Sequence, residues 1–249
     1  MQCYNQFAHI YDELINSDIN YEEWSQVILN VFKEQGGETL DYLDLACGTG
    51  NLTSIIAGEF QNVWGVDLSE EMLIEADDKL RKQGIKAKLV CQNICDLNLN
   101  RKFDLITCAL DSTNYIIDKN QLKNYFINVK KHLKSNGIFI FDINSYYKLN
   151  NILGNNVFTY DDEDVVYIWQ NQLEHNIVDM FLTFFIKREG LYERFDEEHS
   201  ERAYKEEEIE EIINASALKI VQKMNNYKKE EIINTTERIV YVLKNDEEN

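Results

Sequence analysis

Hydrophobic positions follow two different spacings along this chain of 249 residues. Between residues 38 and 143, short apolar runs typical of buried strands alternate with stretches whose apolar residues recur at helical spacing. Strands are predicted at 40–46, 62–67, 87–91, 103–110 and 137–143, with helices at 51–59, 69–83 and 118–134. Because parallel strands need crossover helices, this alternation predicts a doubly wound α/β fold with a mostly parallel sheet.

The pattern changes after residue 150. Three runs predict a small antiparallel β-meander: 165–172, 177–187 and 191–198. A helix at 205–217 and two strands at 218–226 and 232–243 then complete a seven-stranded, Rossmann-like sheet. Two amphipathic helices, 4–15 and 21–34, precede the first strand and are expected to cap the sheet. The predicted parts are therefore the capping helices (1–37), the core (38–150 with 204–249) and an inserted antiparallel β lid (151–203).

Composition adds an acidic surface to this picture. The formal net charge is −19 and no basic strip interrupts it, which disfavours nucleic acid as a partner. The five cysteines lack the spacing of a zinc site, so no metal is expected and reduced thiols suit a cytoplasmic protein. Neither a leader segment nor a membrane-spanning apolar run is recognised, and the sequence leaves monomer or homodimer open.

The segment Leu43–Gly50, Leu-Asp-Leu-Ala-Cys-Gly-Thr-Gly, joins the first strand to the first crossover helix. Gly48 and Gly50 lack a Cβ atom, which permits positive φ and lets a ligand lie directly on the backbone. The next strand ends in Asp67, seventeen residues after Gly50. In nucleoside-binding βαβ units, an acid at roughly twenty residues binds the ribose hydroxyls. The spacing therefore indicates a site for a ribose-containing ligand.

Two residues decide which nucleoside suits this loop. Thr53 stands where a dinucleotide fingerprint has its third glycine, and Asp44 at the loop entrance would repel a pyrophosphate. S-adenosylmethionine, with adenosine, an ammonium and a sulfonium but no phosphate, fits better. A nicotinamide dehydrogenase and a tight turn without any ligand remain the alternatives.

Several motifs together resemble the class I S-adenosylmethionine-dependent methyltransferases that act on small molecules. They are Leu43–Gly50, Gly65-Val-Asp-Leu-Ser-Glu-Glu-Met-Leu73, Phe103–Ile106 leading to Asp111–Tyr115, Phe7–Asp12 and His199–Tyr204. The last two are similar to members with an antiparallel lid, including some sugar and amine N-methyltransferases. The chain contains no proline, so the Pro-Pro-Tyr loop common in adenine-amine and glutamine-amide methyltransferases is absent.

The resemblance implies a set of cofactor contacts for S-adenosylmethionine and its product S-adenosylhomocysteine. Around the methionine part and the ribose these are Asp44, Ala46, Cys47, Gly48, Thr49, Gly50 and Asp67. Around the adenine they are Leu68, Met72, Gln92, Asn93 and Ile94, with Asn93 standing where the family often has aspartate. Leu110 and Asp111 would lie beside the departing methyl group, and Tyr11 would cap the cofactor.

The same resemblance places the methyl acceptor, a small molecule, under the lid. Open α/β sheets bind ligands at the carboxyl ends of their strands, which predicts an acceptor pocket beside Asp111, Tyr115, Asn144 and Tyr146. The catalytic candidates are His199, Tyr115 and Asn144. His199 is the first choice for a base because imidazole titrates near neutral pH, although it could equally be a structural residue at the lid hinge. A non-catalytic module that binds S-adenosylmethionine, and an RNA methyltransferase, remain alternatives.

Overall fold

The computed structural model describes residues 19–245, in which eleven strands and five α-helices follow one another along the chain. The strands are β1 (Asp41–Leu45), β2 (Asn62–Asp67), β3 (Ala87–Cys91), β4 (Phe103–Cys108), β5 (Leu133–Asn144), β6 (Val157–Asp161), β7 (Val165–Glu174), β8 (Ile177–Arg188), β9 (Leu191–Arg202), β10 (Leu218–Asn225) and β11 (Arg238–Asn245). The α-helices are α1 (Tyr21–Glu34), α2 (Asn51–Ile56), α3 (Glu70–Lys82), α4 (Lys119–His132) and α5 (Glu206–Ala215).

Seven strands form the central sheet in the order β10-β11-β5-β4-β1-β2-β3. Neighbouring strands are parallel from β5 to β3, whereas β11 runs antiparallel to both β5 and β10. The predicted α/β fold with a doubly wound, mostly parallel sheet is therefore confirmed. Parallel order brings the carboxyl ends of β1, β2, β4 and β5 to one edge of the sheet, where the motif loops begin.

Both faces of the sheet are covered, which explains why β1 and β4 read as continuous buried runs. On one face α4 and α5 contribute Leu122, Phe126 and Ile209 to the core. On the other face α1 and α2 contribute Ile28, Phe32 and Ile56. The helices thus fix the sheet from two sides and leave its carboxyl edge to the loops.

Short polar residues begin the crossover helices where the sequence predicts. The Ser69 hydroxyl accepts a hydrogen bond from the Met72 N–H at 3.2 Å, and Glu70 and Glu71 lie in the first turn of α3. The Asp118 carboxylate accepts from two N–H groups in the first turn of α4, both at 2.9 Å. These caps satisfy amides that the helices leave unpaired and fix where each crossover starts.

The second sheet has four antiparallel strands in the order β6-β7-β8-β9, one more than predicted. The added strand, β6, is short and its side chains are mostly exposed, so it carries little hydrophobic pattern. β9 also continues to Arg202 instead of ending at residue 198, because it pairs along the full length of β8. This longer strand carries the lid sheet (β6–β9) back to the core.

Other boundaries differ where the chain bulges or loops. β5 begins at Leu133 rather than 137, and its register against β4 shifts between Phe103 and Leu105. β11 begins at Arg238 rather than 232. The predicted helix at 4–15, with Tyr11, lies outside the described residues.

Candidate active site at the carboxyl edge of the sheet

The loop between β1 and α2 turns on residues with positive φ: Ala46 (51°), Gly48 (54°) and Gly50 (76°). The turn is closed by a hydrogen bond of 2.9 Å from the Gly50 N–H to the Cys47 carbonyl. A Cβ atom added at Gly50 would lie 3.2 Å from the Cβ of Ala76, so this glycine lets α3 approach. At Gly48 an added Cβ would meet no heavy atom within 4 Å among the residues that the structure describes. The backbone at Gly48 therefore faces space in which a ligand can lie.

The carboxylate of Asp67 points at this loop. One of its oxygens accepts the Gly48 N–H at 2.8 Å, and the other accepts the Ser69 N–H at 2.9 Å. Burial raises the pKa of Asp67, while these two amide donors oppose that rise. Each carboxylate oxygen keeps further lone pairs, so both can accept hydroxyl groups of a ribose. The predicted pairing of the glycine loop with Asp67 is thus present in the fold.

Asp44 is almost completely buried behind the loop. Its carboxylate accepts hydrogen bonds from the hydroxyls of Thr53 at 2.5 Å and Thr107 at 2.7 Å, and Tyr42 contacts Thr107 in turn at 2.8 Å. Burial raises the pKa of Asp44 to about 6, so the group is mostly ionised near neutral pH. The residue that departs from the dinucleotide fingerprint, Thr53, therefore has a structural task, since it stabilises a buried negative charge.

The side chains of Cys47 and Thr49 turn away from the open space. The Sγ atom of Cys47 packs against Gly65 of β2, and Thr49 accepts a hydrogen bond of 3.2 Å from the Lys79 ammonium of α3. Both side chains therefore contact neighbouring elements of the core, β2 and α3.

The predicted adenine side combines an exposed apolar surface with polar groups that already have partners. Leu68 is 64 % exposed although it follows β2, whereas Met72 in α3 is buried. The Asn93 side-chain oxygen accepts the Cys95 N–H at 2.9 Å, and Gln92 accepts the Asn98 N–H at 3.2 Å. Asn93 caps the short 3-10 turn that begins at Ile94, so a bond to an adenine amine would use its second lone pair.

A strained turn follows β4. Leu110 and Asp111 both have positive φ, 57° and 49°, without being glycine. Their N–H groups donate to the two oxygens of Asp142 at 3.0 and 2.8 Å. Asp142 also accepts the Tyr227 hydroxyl at 2.6 Å and the Arg238 guanidinium. We call these four donors around one carboxylate the Asp142 cage; it holds the turn in a conformation that such residues seldom adopt.

Arg238 joins the Asp142 cage to the site itself, because its second nitrogen donates to the Asp111 carboxylate at 2.7 Å. The indole of Trp24 in α1 stacks on Tyr227 with 4.2 Å between ring centroids, and the guanidinium lies 5.3 Å from the Trp24 ring. Sequence reasoning missed Asp142, Tyr227 and Arg238. The available signal was a charged residue within each of two apolar strands, β5 and β11.

On the lid side, the structure brings the three catalytic candidates into one neighbourhood. The rings of Tyr115 and His199 meet edge to face at 5.9 Å. Asn144, at the end of β5, donates through Nδ2 to Glu201 at 2.9 Å and accepts from Lys148 at 2.9 Å. Burial lowers the pKa of His199 from 6.5 to about 4, so its imidazole is neutral near pH 7.

Lid and core are joined by polar anchors. The Asn114 side chain bonds the backbone of Asn144 on both sides and also donates to the Arg202 carbonyl at 3.0 Å. Arg202 donates to the Ile117 carbonyl at 3.3 Å, and the Tyr204 hydroxyl donates to the Ile116 carbonyl. Arg202 and Tyr204 thus connect the end of β9 to the segment after β4.

A surface depression of about 720 Å³ lies at the opposite edge of the sheet, where β4 begins and α4 ends. Two of its polar side chains hold the fold together: His132 accepts the Leu99 N–H at 3.0 Å and Asn128 donates to the Cys95 carbonyl at 2.7 Å. Between residues 19 and 245, no cluster of three His, Cys, Asp or Glu side chains could hold a metal ion. In the same range no helix has the length and apolar character to cross a membrane.

Comparison with known proteins identifies the family of this chain. A family model described as "Methyltransferase domain" matches residues 43–137. A putative methyltransferase of Geobacillus sp. (strain WCH70) is 32 % identical over 97 % of this chain and 99 % of its own length. The crystal structure of an S-adenosylmethionine-dependent methyltransferase from Clostridium acetobutylicum ATCC 824 is 55 % identical, with a TM-score of 0.93 over 97 % of this chain and 98 % of that one.

A more distant relative has a named substrate. The dTDP-3-amino-3,4,6-trideoxy-alpha-D-glucopyranose N,N-dimethyltransferase of Streptomyces venezuelae is 28 % identical over 53 % of this chain and 55 % of its own length. The family model and these relatives are methyltransferases, which excludes the alternative of a nicotinamide dehydrogenase. This chain belongs to the S-adenosylmethionine-dependent methyltransferases.

Proposed function

We propose that this methyltransferase binds S-adenosylmethionine at the glycine loop and transfers its methyl group to a nitrogen or oxygen of a small molecule held under the lid sheet. The observation that carries the proposal is the Asp67 carboxylate, fixed 2.8 Å from the Gly48 N–H, beside a glycine at which an added Cβ would meet no heavy atom of residues 19–245 within 4 Å. A ribose diol fits this pair of oxygens, and the bare loop admits the rest of the nucleoside.

The remaining cofactor contacts follow from what lies around that pair. The exposed side chain of Leu68 would cover one face of the adenine, and Asn93 would meet its edge. The buried charge of Asp44 and the strained Leu110–Asp111 turn would surround the cationic methionine end. When bound, the cofactor supplies a methyl group on a positively charged sulfur, which is already a good leaving group.

The protein therefore has two tasks: to align the acceptor atom with the methyl group and to exclude water. Tyr115 and His199 offer an aromatic contact and a buried, neutral imidazole on the lid side. Asn144 has both ends of its amide engaged, by Glu201 and Lys148, so its proposed role is to position Glu201 and not to touch the reacting atoms. Tyr11 and the boundaries of the lid at 151–203 remain predictions.

Calorimetry tests the cofactor half. Asp67→Ala removes two hydrogen bonds to a charged group, each worth about 1.5–3 kcal/mol, so the affinity for S-adenosylmethionine should fall by roughly 100-fold or more. Asp78→Ala, an exposed position on α3, is the matched control and should bind as the wild type does. Equal affinity in all three proteins would remove the ribose site from the proposal.

Turnover tests the catalytic half. With radiolabelled S-adenosylmethionine and a panel of amines and hydroxyl compounds, labelled product and S-adenosylhomocysteine should form in equal amounts. Tight cofactor binding without transfer to any acceptor would instead support a non-catalytic binding module.

A further inference from the structure

We propose that Glu201 binds the ammonium group of an amine acceptor and takes its proton, so that the acceptor atom is nitrogen. This inference rests on the proposed function and narrows its substrate class. Glu201 belongs to the lid strand β9, two residues after His199, and meets the core at Asn144.

The inward face of β9 carries polar groups where the neighbouring strand is apolar. Glu197, His199 and Glu201 occupy alternate positions, and each is at most 8 % exposed. Their partners on β8 are Leu182, Met180 and Val178. Side chains at alternate positions of a strand share one face, so this row lies on one side of the lid sheet. Buried carboxyl groups are costly on an apolar face and call for a charged partner.

The cations near Glu201 are engaged elsewhere. Arg238 bonds Asp111 at 2.7 Å and also bonds Asp142, and Lys148 donates to the Asn144 oxygen at 2.9 Å. Glu201 itself accepts from the neutral Asn144 amide. Within residues 19–245, none of the ion pairs includes Glu201. Among the described residues the carboxyl group therefore has a hydrogen bond but no direct ion pair, and an incoming ammonium would supply one.

Burial and three neighbouring charges set the pKa of Glu201. Burial is the largest cause of the raised pKa, which is about 8, and the Asp111 carboxylate raises it further. Lys148 and Arg238 oppose this rise. Near pH 7 about one molecule in ten then carries an ionised Glu201. Burial lowers the pKa of His199 to about 4, so His199 is a weaker base than Glu201. Of these two groups, Glu201 is the one better matched in proton affinity to an alkylamine.

The chemical step balances as follows. The ammonium R–NH₃⁺ pairs with ionised Glu201 and gives it one proton, which leaves the neutral amine with a free electron pair. That pair forms the nitrogen–carbon bond as the carbon–sulfur bond of the sulfonium breaks, and the bonding electrons remain on sulfur as a neutral thioether. The product R–NH₂⁺–CH₃ departs, and the carboxylic acid returns its proton to solvent. An alcohol brings no positive charge to pair with ionised Glu201, and its hydroxyl proton is too weakly acidic to pass to a carboxylate before the methyl group is transferred.

Paired acceptors test this choice of atom. We would assay glucosamine against glucose and cyclohexylamine against cyclohexanol, in wild type, Glu201→Gln and the control Glu198→Gln. Glu198 lies on the opposite, exposed face of the same strand. We expect wild type and control to prefer the amines by at least about tenfold, and Glu201→Gln to lose roughly 100-fold in kcat/KM for amines. S-adenosylmethionine affinity should stay within about twofold in all three proteins.

A second measurement needs no turnover. In protein labelled with ¹³C-glutamate and saturated with S-adenosylhomocysteine, the carboxyl signal absent from Glu201→Gln should titrate above pH 7. Cyclohexylammonium should lower that midpoint by about one pH unit or more, whereas cyclohexanol should leave it unchanged.

The outcomes separate the two proposals. An unmoved midpoint, or alcohols methylated as fast as amines, overturns the assignment of Glu201 and leaves the methyltransferase proposal standing. Failure of S-adenosylmethionine to bind at Gly48 and Asp67 overturns the proposed function instead. Should Glu201→Gln fail to fold, Glu201→Asp provides the test, because it keeps the charge and should retain the preference for amines.

Discussion

The two sides of the candidate site are built in different ways. On the cofactor side, a few residues close together in the chain form the glycine loop, and backbone groups make its contacts, such as the Gly48 N–H to Asp67. On the acceptor side, side chains from distant segments meet: Arg238 reaches Asp111 across 127 positions of sequence, and Asn144 reaches Glu201 across 57. A local backbone site recognises the part of the ligand that all family members share. A site of long-range charges can change with the substrate at the cost of a few side chains.

The comparison predicts that the acceptor side depends on charge balance, most of all at Arg238. Arg238→Met leaves Asp111 and Asp142 near each other in a buried region without their cation, and should lower the free energy of unfolding by about 3–5 kcal/mol. Urea unfolding measures this loss. Arg194→Met is the control, since Arg194 pairs with Asp196 on the exposed surface of the lid and its loss should cost at most about 1 kcal/mol. Equal effects of the two changes would mean that the Asp142 cage has no special energetic role.

Glu201 should give the acceptor side a pH-dependent stability. Its pKa is raised from 4.5 to about 8, chiefly by burial, so the folded state binds the proton more tightly than the unfolded chain. The stabilisation from holding that proton is complete below about pH 4.5 and is lost as pH rises towards 8. Compared with Glu201→Gln, the wild type should lose roughly 3 kcal/mol between pH 5 and pH 8. Unfolding curves at the two pH values decide it, and parallel pH dependences would contradict the assigned burial of this charge.

The cofactor side should respond to backbone shape instead. Gly48→Ala places a Cβ at φ 54°, which costs about 1–2 kcal/mol of stability, and also puts a methyl group into the open space beside Asp67. Gly84→Ala is a close control, because Gly84 also has positive φ (73°) and, in the described part of the chain, no heavy atom within 4 Å of an added Cβ. It follows the C-terminal end of α3, away from the site. Both variants should lose similar stability. Only Gly48→Ala should weaken S-adenosylhomocysteine binding in calorimetry, by about tenfold or more.

The difference between the two sides of the site also explains which of its residues could be predicted from the sequence. The glycine loop and Asp67 carry their signal in spacing along the chain, and the family assignment agrees with the cofactor class inferred from them. The fourth lid strand was missed, because an exposed edge strand such as β6 has neither a buried face nor a strong apolar pattern. The sequence predicts His199 as a base from the ordinary pKa of imidazole, but burial lowers that pKa to about 4 and makes the group a weak base.

The sequence by itself determined the alternation of strands and helices, the order in which they follow, and the loop whose glycines leave the backbone bare. These features depend on neighbouring residues, whose periodicity and conformational freedom are local properties. Only the tertiary structure decided that Arg238 pairs with both Asp111 and Asp142, and that Glu201 is buried without an ion-pair partner among the described residues. Burial and the distance between charges set the energy of such groups, and both come into being only when segments far apart in the chain pack together.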